Sequence, residues 1–151
     1  MFSGNYSVKL DEKGRFILPA RLRDAFTDGL YITISQEHCL AVYTSAGFQE
    51  LAERVRRAPS TVLQVRKYQR MMLGRAFENV PDKQGRTVIP SSLRTWAGLD
   101  KDLVIVGAGD RLEIWDEAEW DAFLAEEEAE FADLDRDILG AISPDNASPA
   151  G

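Results

Sequence analysis

With 151 residues, 44% of them hydrophobic and 28% charged, the chain has an ordinary globular composition and enough length for one core or two small repeats that share one. It has no run near the roughly 20 apolar residues of a membrane helix, no apolar signal segment behind the polar opening MFSGNYSVKLDEKGR, and a single cysteine, Cys39, which rules out an internal disulfide or a thiolate zinc cluster. The formal charge of −7 divides unevenly: residues 1–115 carry 17 Lys/Arg and 13 Asp/Glu, whereas residues 116–151 carry 12 Asp/Glu and one Arg.

Taken in chain order, Tyr6, Val8 and Leu10 alternate with polar residues and predict a half-buried strand. Asp11-Glu-Lys-Gly14 has turn chemistry, because Asp accepts from backbone N–H groups ahead of it and Gly adopts positive φ. Phe16–Leu18 is expected to return as the second arm of a hairpin, and Pro19, lacking an N–H, ends the pairing and opens a short helix over Ala20–Phe26. Strands are predicted at Tyr31–Ile34 and Leu40–Tyr43, with His38 and Cys39 in the turn between them. The spacing of Phe48, Leu51 and Val55 predicts a helix over Ser45–Arg57, broken by Ala58-Pro59-Ser60. A second helix, Thr61–Leu73, sets Val62, Val65, Tyr68 and Met72 opposite Arg66, Lys67 and Arg70. The pattern then recurs, with the helix Ser91–Ala97 behind Pro90 and strands at Leu103–Val106 and Leu112–Trp115. An acidic helix over Glu117–Leu139 follows, spaced by Trp120, Phe123, Phe131 and Leu134, and Ser143–Gly151 reads as a disordered tail.

That recurrence is a true internal repeat. Residues 11–23, DEKGRFILPARLR, match residues 82–94, DKQGRTVIPSSLR, at six of thirteen positions: Asp11/Asp82, Gly14/Gly85, Arg15/Arg86, Pro19/Pro90, Leu22/Leu93 and Arg23/Arg94. The identities fall on turn, cap and helix positions, where chance agreement is least expected. The organisation that follows is a first repeat over 5–47, a helical spacer 48–75, a second repeat over 76–119, an acidic helix 120–142 and a tail 143–151.

An Asp-x-x-Gly-Arg turn sets an arginine at the mouth of a hairpin. Its planar guanidinium suits a phosphate or the O6/N7 edge of guanine, and the Asp can hold it in place. Lys9 and Lys13 add charge to the first turn and Lys83 to the second. The plainer reading is a surface Asp–Arg pair that only stabilises its own turn; two copies on one scaffold, with the same Gly and Pro, favour the binding role. The acidic total does not exclude DNA, because screening confines each charge to ~8–10 Å and the acidic excess lies beyond residue 115.

Asp11-x-x-x-Arg15 within LDEKGRFILPARLR, Asp82-x-x-x-Arg86 within PDKQGRTVIPSSLR, and the opening MFSGNY resemble the MraZ family, whose repeats are of the SpoVT/AbrB type. The resemblance spans about residues 1–124. It implies an α+β, mainly β fold: a swapped-hairpin, double-psi-like β-barrel in which the two repeats act as an internal pseudo-dimer, with helices between and after them. It further implies a ring-like homo-oligomer on tandem direct repeats of double-stranded promoter DNA, in the operon of the division and cell-wall genes, with Arg15 and Arg86 as DNA contacts and Asp11 and Asp82 as their partners. Repression, a nucleoid-associated location and no cofactor or small-molecule substrate belong to the same expectation; the lone Cys39 points to a reduced, cytoplasmic compartment, and with no second His and no other Cys beside His38 and Cys39 no metal is expected. The second copy departs from the first at Gln84, which takes the place of Lys13, so its DNA contact is expected to be the weaker.

The basic run Arg54, Arg56, Arg57, Arg66, Lys67, Arg70 and Arg75 admits three readings: a second DNA face, a solvated helix face, or a surface for an acidic helix of a neighbouring subunit. An enzyme on a related barrel would need a nucleophile, a metal cluster or a phosphate loop, and the residues offer none in a suitable pattern. An antitoxin-like oligomer that uses the hairpins for protein contacts is the third class; two full repeats argue against it, and the acidic tail keeps it open.

Overall fold

The structure, a computed structural model, describes residues 1–134. Its elements in chain order are β1 (Asn5–Lys9), β2 (Arg15–Ile17), a 3₁₀ helix (Ala20–Phe26), β3 (Leu30–Ile34), β4 (Leu40–Thr44), α1 (Ser45–Arg57), α2 (Leu63–Met72), β5 (Phe77–Asn79), β6 (Arg86–Val88), α3 (Ser91–Ala97), β7 (Asp102–Gly107), β8 (Leu112–Asp116) and α4 (Glu117–Ala132). The expected end of the last helix at Leu139 and the tail 143–151 lie outside the described residues. Residues 1–117 form one compact unit; α4 belongs to a second and is described by itself.

Six antiparallel strands form a sheet in the order β1-β7-β8-β4-β3-β5, and β2 and β6 form a separate two-stranded ribbon. The repeats meet at the sheet centre, where β4 pairs with its counterpart β8 (Leu40↔Ile114, Val42↔Leu112). Each then gives a strand away. β1 of the first repeat pairs with β7 of the second, and β5 of the second pairs with β3 of the first. The expected hairpin is corrected here: its turn closes, with Gly14 N–H donating to Asp11 O and Asp11 N–H to Arg15 O, but its arms part. β1 goes to β7 and β2 to β6. An arm Tyr6–Leu10 with alternating burial does not specify whose strand it joins, and the partner that buries its apolar side is the other repeat. β1 and β5 stand at the two ends of the six-strand order, and β2 and β6 pair only with each other.

The reason for the exchange is the core. Phe16, Leu18, Leu22, Phe26, Leu30, Ile32, Leu40 and Val42 pack with Ile89, Leu93, Ala97, Leu103, Ile105, Leu112 and Ile114 in one cluster, most of them fully buried. Neither repeat encloses a core by itself, and truncating any of the large members to Ala costs ~2–5 kcal/mol. Pro19 and Pro90 open the short helices as expected, the first as 3₁₀ and the second as α, ended by Gly98 in the left-handed conformation.

α1 and α2 cover the outer face of the β3–β4 hairpin. Thr44 caps α1 by accepting from Gly47 N–H at 2.9 Å. Phe48 of α1 is buried and stacks on Tyr31 at 4.2 Å between ring centroids. Met72 of α2 is buried, and the buried Thr33 hydroxyl donates to Met72 O at 2.7 Å, tying the end of α2 to β3. On the apolar side of α2, Met72 is buried and Val65 half-buried, while Tyr68, and Val62 just before the helix, remain exposed. His38, in the turn before β4, has φ 59° and stacks on Trp96. Within α4, Trp120 and Phe123 stack on each other at 5.9 Å, and Phe131 is exposed. No helix among the described residues is long and apolar enough to cross a membrane.

Candidate nucleic-acid interface

The two motif turns are built alike, atom for atom. Asp11 Oδ1 accepts from the backbone N–H of Lys13 at 2.9 Å and of Arg15 at 2.8 Å, while Oδ2 accepts from Arg15 Nε at 2.9 Å. Asp82 Oδ1 accepts from the N–H of Gln84 and Arg86, both at 2.9 Å, and Oδ2 from Arg86 Nε at 2.6 Å. Asp is the residue that can do this, since its short carboxylate reaches N–H groups two and four residues ahead. The N–H of Arg15, with lesser help from its guanidinium, holds the Asp11 carboxyl below its ordinary value of 3.8. The N–H and then the guanidinium of Arg86 do the same for Asp82. These are exposed ion pairs and add little stability. Their effect is orientation: each arginine is fixed through Nε, and its Nη groups have no hydrogen-bond partner among the described residues and can take an anion or a base edge.

Glycine closes each turn for two reasons. Gly14 and Gly85 have φ +76° and +82°, where side chains are strained. The space a Cβ would fill is also taken, by Arg94 Nη1 beside Gly14 and by Arg23 Nε, 2.5 Å away, beside Gly85. Arg23 and Arg94 match in the repeat, but the sequence assigns them no role. The structure supplies one, crossed between repeats. Arg23 Nε donates to Leu18 O at 2.8 Å beneath the second turn, and Arg94 Nη1 to Ile89 O at 3.0 Å beneath the first. Leu18 N–H donates to Gly85 O and Ile89 N–H to Gly14 O, both at 2.8 Å, so each turn is braced by the other repeat. Their identity in both copies was the signal; the crossing could not be seen without the fold.

The ribbon brings the two arginines together. Arg15 pairs with Val88, Phe16 with Thr87, and Ile17 with Arg86. Phe16 and Thr87 point inward and are buried, so Arg15, Ile17, Arg86 and Val88 share the outward face. The arginines are diagonal neighbours there, about 7–8 Å apart. With the two turns and the bracing arginines, the patch holds six cations (Lys13, Arg15, Arg23, Lys83, Arg86 and Arg94) and three carboxylates (Asp11, Glu12 and Asp82). Lys13 and Lys83 stand on the turns, and Gln84 takes the place of Lys13 without altering the backbone geometry. Lys9 ends β1 and pairs with Asp102 of β7, a hydrogen bond that raises its pKa.

The basic helical run is partly used within the fold. Arg56 pairs with Glu53, Arg66 donates to the carbonyls of Ser60 and Thr61, and Arg75 donates to Ser92 O while its guanidinium lies 5.8 Å from the centre of the Trp96 ring. Cys39 is buried, and burial pushes its thiol up to about 12. Among the described residues no group of three His, Cys, Asp or Glu side chains could hold a metal ion.

A duplicated, strand-exchanging β unit with two matched Asp–Arg turns set on one short ribbon is the class that this geometry defines. The chain belongs to the MraZ family: the family model described as "MraZ protein, putative antitoxin-like" matches it twice, over residues 1–71 and 72–140. It is similar to proteins named "Transcriptional regulator MraZ" from Leifsonia xyli subsp. xyli, at 50% identity over 94% of this chain and 99% of the relative. The protein of that name from Salinispora tropica is 48% identical over 94% and 100%, and the one from Micrococcus luteus 46% identical over 94% and 99%.

Proposed function

We propose that the chain is a sequence-specific, double-stranded DNA-binding transcriptional regulator, without enzymatic activity, that represses its own operon in the division and cell-wall gene cluster. In this reading it is cytoplasmic and nucleoid-associated, forms a ring of identical subunits, and sets its ribbons on tandem direct repeats in the promoter. Within each subunit the exchanged strands form the swapped-hairpin barrel, and the repeats act as a pseudo-dimer. The observation that carries the proposal is the pair of outward arginines, each held through Nε by its own Asp and set diagonally on one ribbon. The relatives' name, transcriptional regulator, supports it.

DNA binding follows from the chemistry of that face. A guanidinium oriented in advance forms bidentate bonds to phosphate or to guanine O6/N7, and each good base contact contributes ~1–3 kcal/mol of discrimination. A ring presenting many such ribbons multiplies modest contacts into tight binding on repeated sites. Arg15 and Arg86 are the principal contacts, with Lys13 and Lys83 beside them on phosphate. The acidic segment from residue 116 onward repels the backbone and keeps unrelated DNA off.

The test is a gel-shift of the full chain with duplex DNA from the region upstream of its gene, at several salt concentrations. Affinity should fall with log slope ~0.9 per phosphate neutralised. Arg15→Ala, which opens no cavity, should lose specific binding while light scattering and circular dichroism stay unchanged. Operator binding by Arg15→Ala as tight as the parent's at matched salt overturns the proposal.

A further inference from the structure

The outward face of the ribbon carries two side chains that the arginines leave unused. Ile17 and Val88 are 49% and 37% exposed, though the residue before each is buried. They stand at equivalent places in the two repeats, and both are branched aliphatics where a solvated ribbon would do as well with polar residues. Register sets Ile17 across from Arg86 and Val88 across from Arg15. The face is therefore a small lattice in which guanidinium and aliphatic groups alternate in both directions.

We propose that Ile17 and Val88 recognise thymine: the β2–β6 ribbon lies in the major groove with their methyl groups against thymine C5-methyls while Arg15 and Arg86 bond the neighbouring base edges or phosphates. This deepens the DNA-binding reading above and rests on it. The major groove admits a two-stranded β-ribbon, and the C5-methyl of thymine is the apolar group it displays. Directly opposed residues have Cβ atoms ~4.5–5.5 Å apart, about one and a half times the ~3.4 Å step between base pairs. Each aliphatic thus stands one or two base pairs from the position of the opposite arginine. An apolar protein surface is the poorer occupant. It would bury Arg15 and Arg86 against no anion, beyond the Asp each already holds, and desolvating them would outweigh the aliphatic contact. DNA meets both groups on one surface.

Uracil in place of thymine removes the C5-methyl alone. The full chain is therefore titrated, at fixed salt, with the upstream duplex and with the same duplex made with deoxyuridine, beside an Ile17→Ala, Val88→Ala double variant and Arg15→Ala. The parent should bind the uracil duplex at least about fourfold more weakly for each thymine methyl that Ile17 or Val88 covers. The double variant should bind the thymine duplex more weakly than the parent and show no preference between the two DNAs. Equal affinity of the parent for both duplexes overturns the inference, as does a thymine preference that survives in the double variant. If the parent binds, Arg15→Ala does not, and uracil has no effect, only the inference falls. If the parent does not bind, or Arg15→Ala binds like it, the underlying reading falls too. The uracil arm uses the unmutated protein, so its outcome does not depend on any variant folding.

Discussion

Replacing Gly14 with Ala tests the crossed bracing of the turns. Two costs add. At φ +76° the new Cβ strains the backbone by ~1–2 kcal/mol. The Cβ also takes the space of Arg94 Nη1, so the guanidinium must swing away and give up its bond to Ile89 O. A charged donor's bond contributes ~1.5–3 kcal/mol, and the partly buried position of Arg94 places this one toward the lower end. Gly14→Ala is therefore expected to cost ~2–4 kcal/mol, within the 5–15 kcal/mol of an ordinary domain, so the variant folds and can be measured. The assay is urea unfolding at constant m, done also in an Arg94→Ala background. There the guanidinium and its bond are already gone, and the approach of the Cβ to Ile89 O at 3.2 Å is common to both backgrounds, so Gly14→Ala should lose only the Arg94 part of its cost, leaving a coupling of ~1–2 kcal/mol. An equal cost in both backgrounds would show that Arg94 does not sit beneath the turn of the other repeat. So would a cost below ~0.5 kcal/mol in the parent. Gly85→Ala should repeat the result against Arg23.

Thr87 is buried beside Phe16 with a hydroxyl that has no partner among the described residues. Thr87→Val removes a desolvated hydroxyl worth ~1 kcal/mol and should raise Tm by ~2–4 °C in a thermal scan; an unchanged or lower Tm counts against an unpaired hydroxyl. Asp11 and Asp82 have lowered pKa values, so the stability they contribute is present above the unfolded value near 3.8 and is lost as pH falls below it through the folded value. Acid unfolding of an Asp11→Asn, Asp82→Asn variant should lose part of the parent's steepening below that pH, and identical acid profiles would refute the pairing. Burial pushes the Cys39 thiol up to about 12, so it should not react with a thiol reagent at neutral pH until urea unfolds the chain. Rapid reaction in the native protein would contradict the packing.

Local chemistry was legible in the sequence. Asp and Gly at fixed offsets wrote the turns, prolines opened the short helices, and 3.6-residue spacing marked Ser45–Arg57 to the residue. The repeat marked Asp11, Arg15, Asp82 and Arg86, because a turn held by backbone N–H groups two and four residues ahead is a property of five consecutive residues. The tertiary structure decided the pairings. An alternating strand specifies which of its faces is buried but not which neighbour buries it, so β1 and β2 read as one hairpin although each pairs with the other repeat. Hence the sequence offered two separate arginine tips, and the fold sets Arg15 and Arg86 diagonally on one ribbon with Ile17 and Val88 between them. The same holds for Lys9, drawn to Asp102 across the exchanged strand, and for Arg23 and Arg94, each braced beneath a turn that lies about sixty to eighty residues away in the chain. Such contacts depend on one core assembled from both repeats, and that core is a property of the pair, since neither repeat has enough apolar surface of its own to close it.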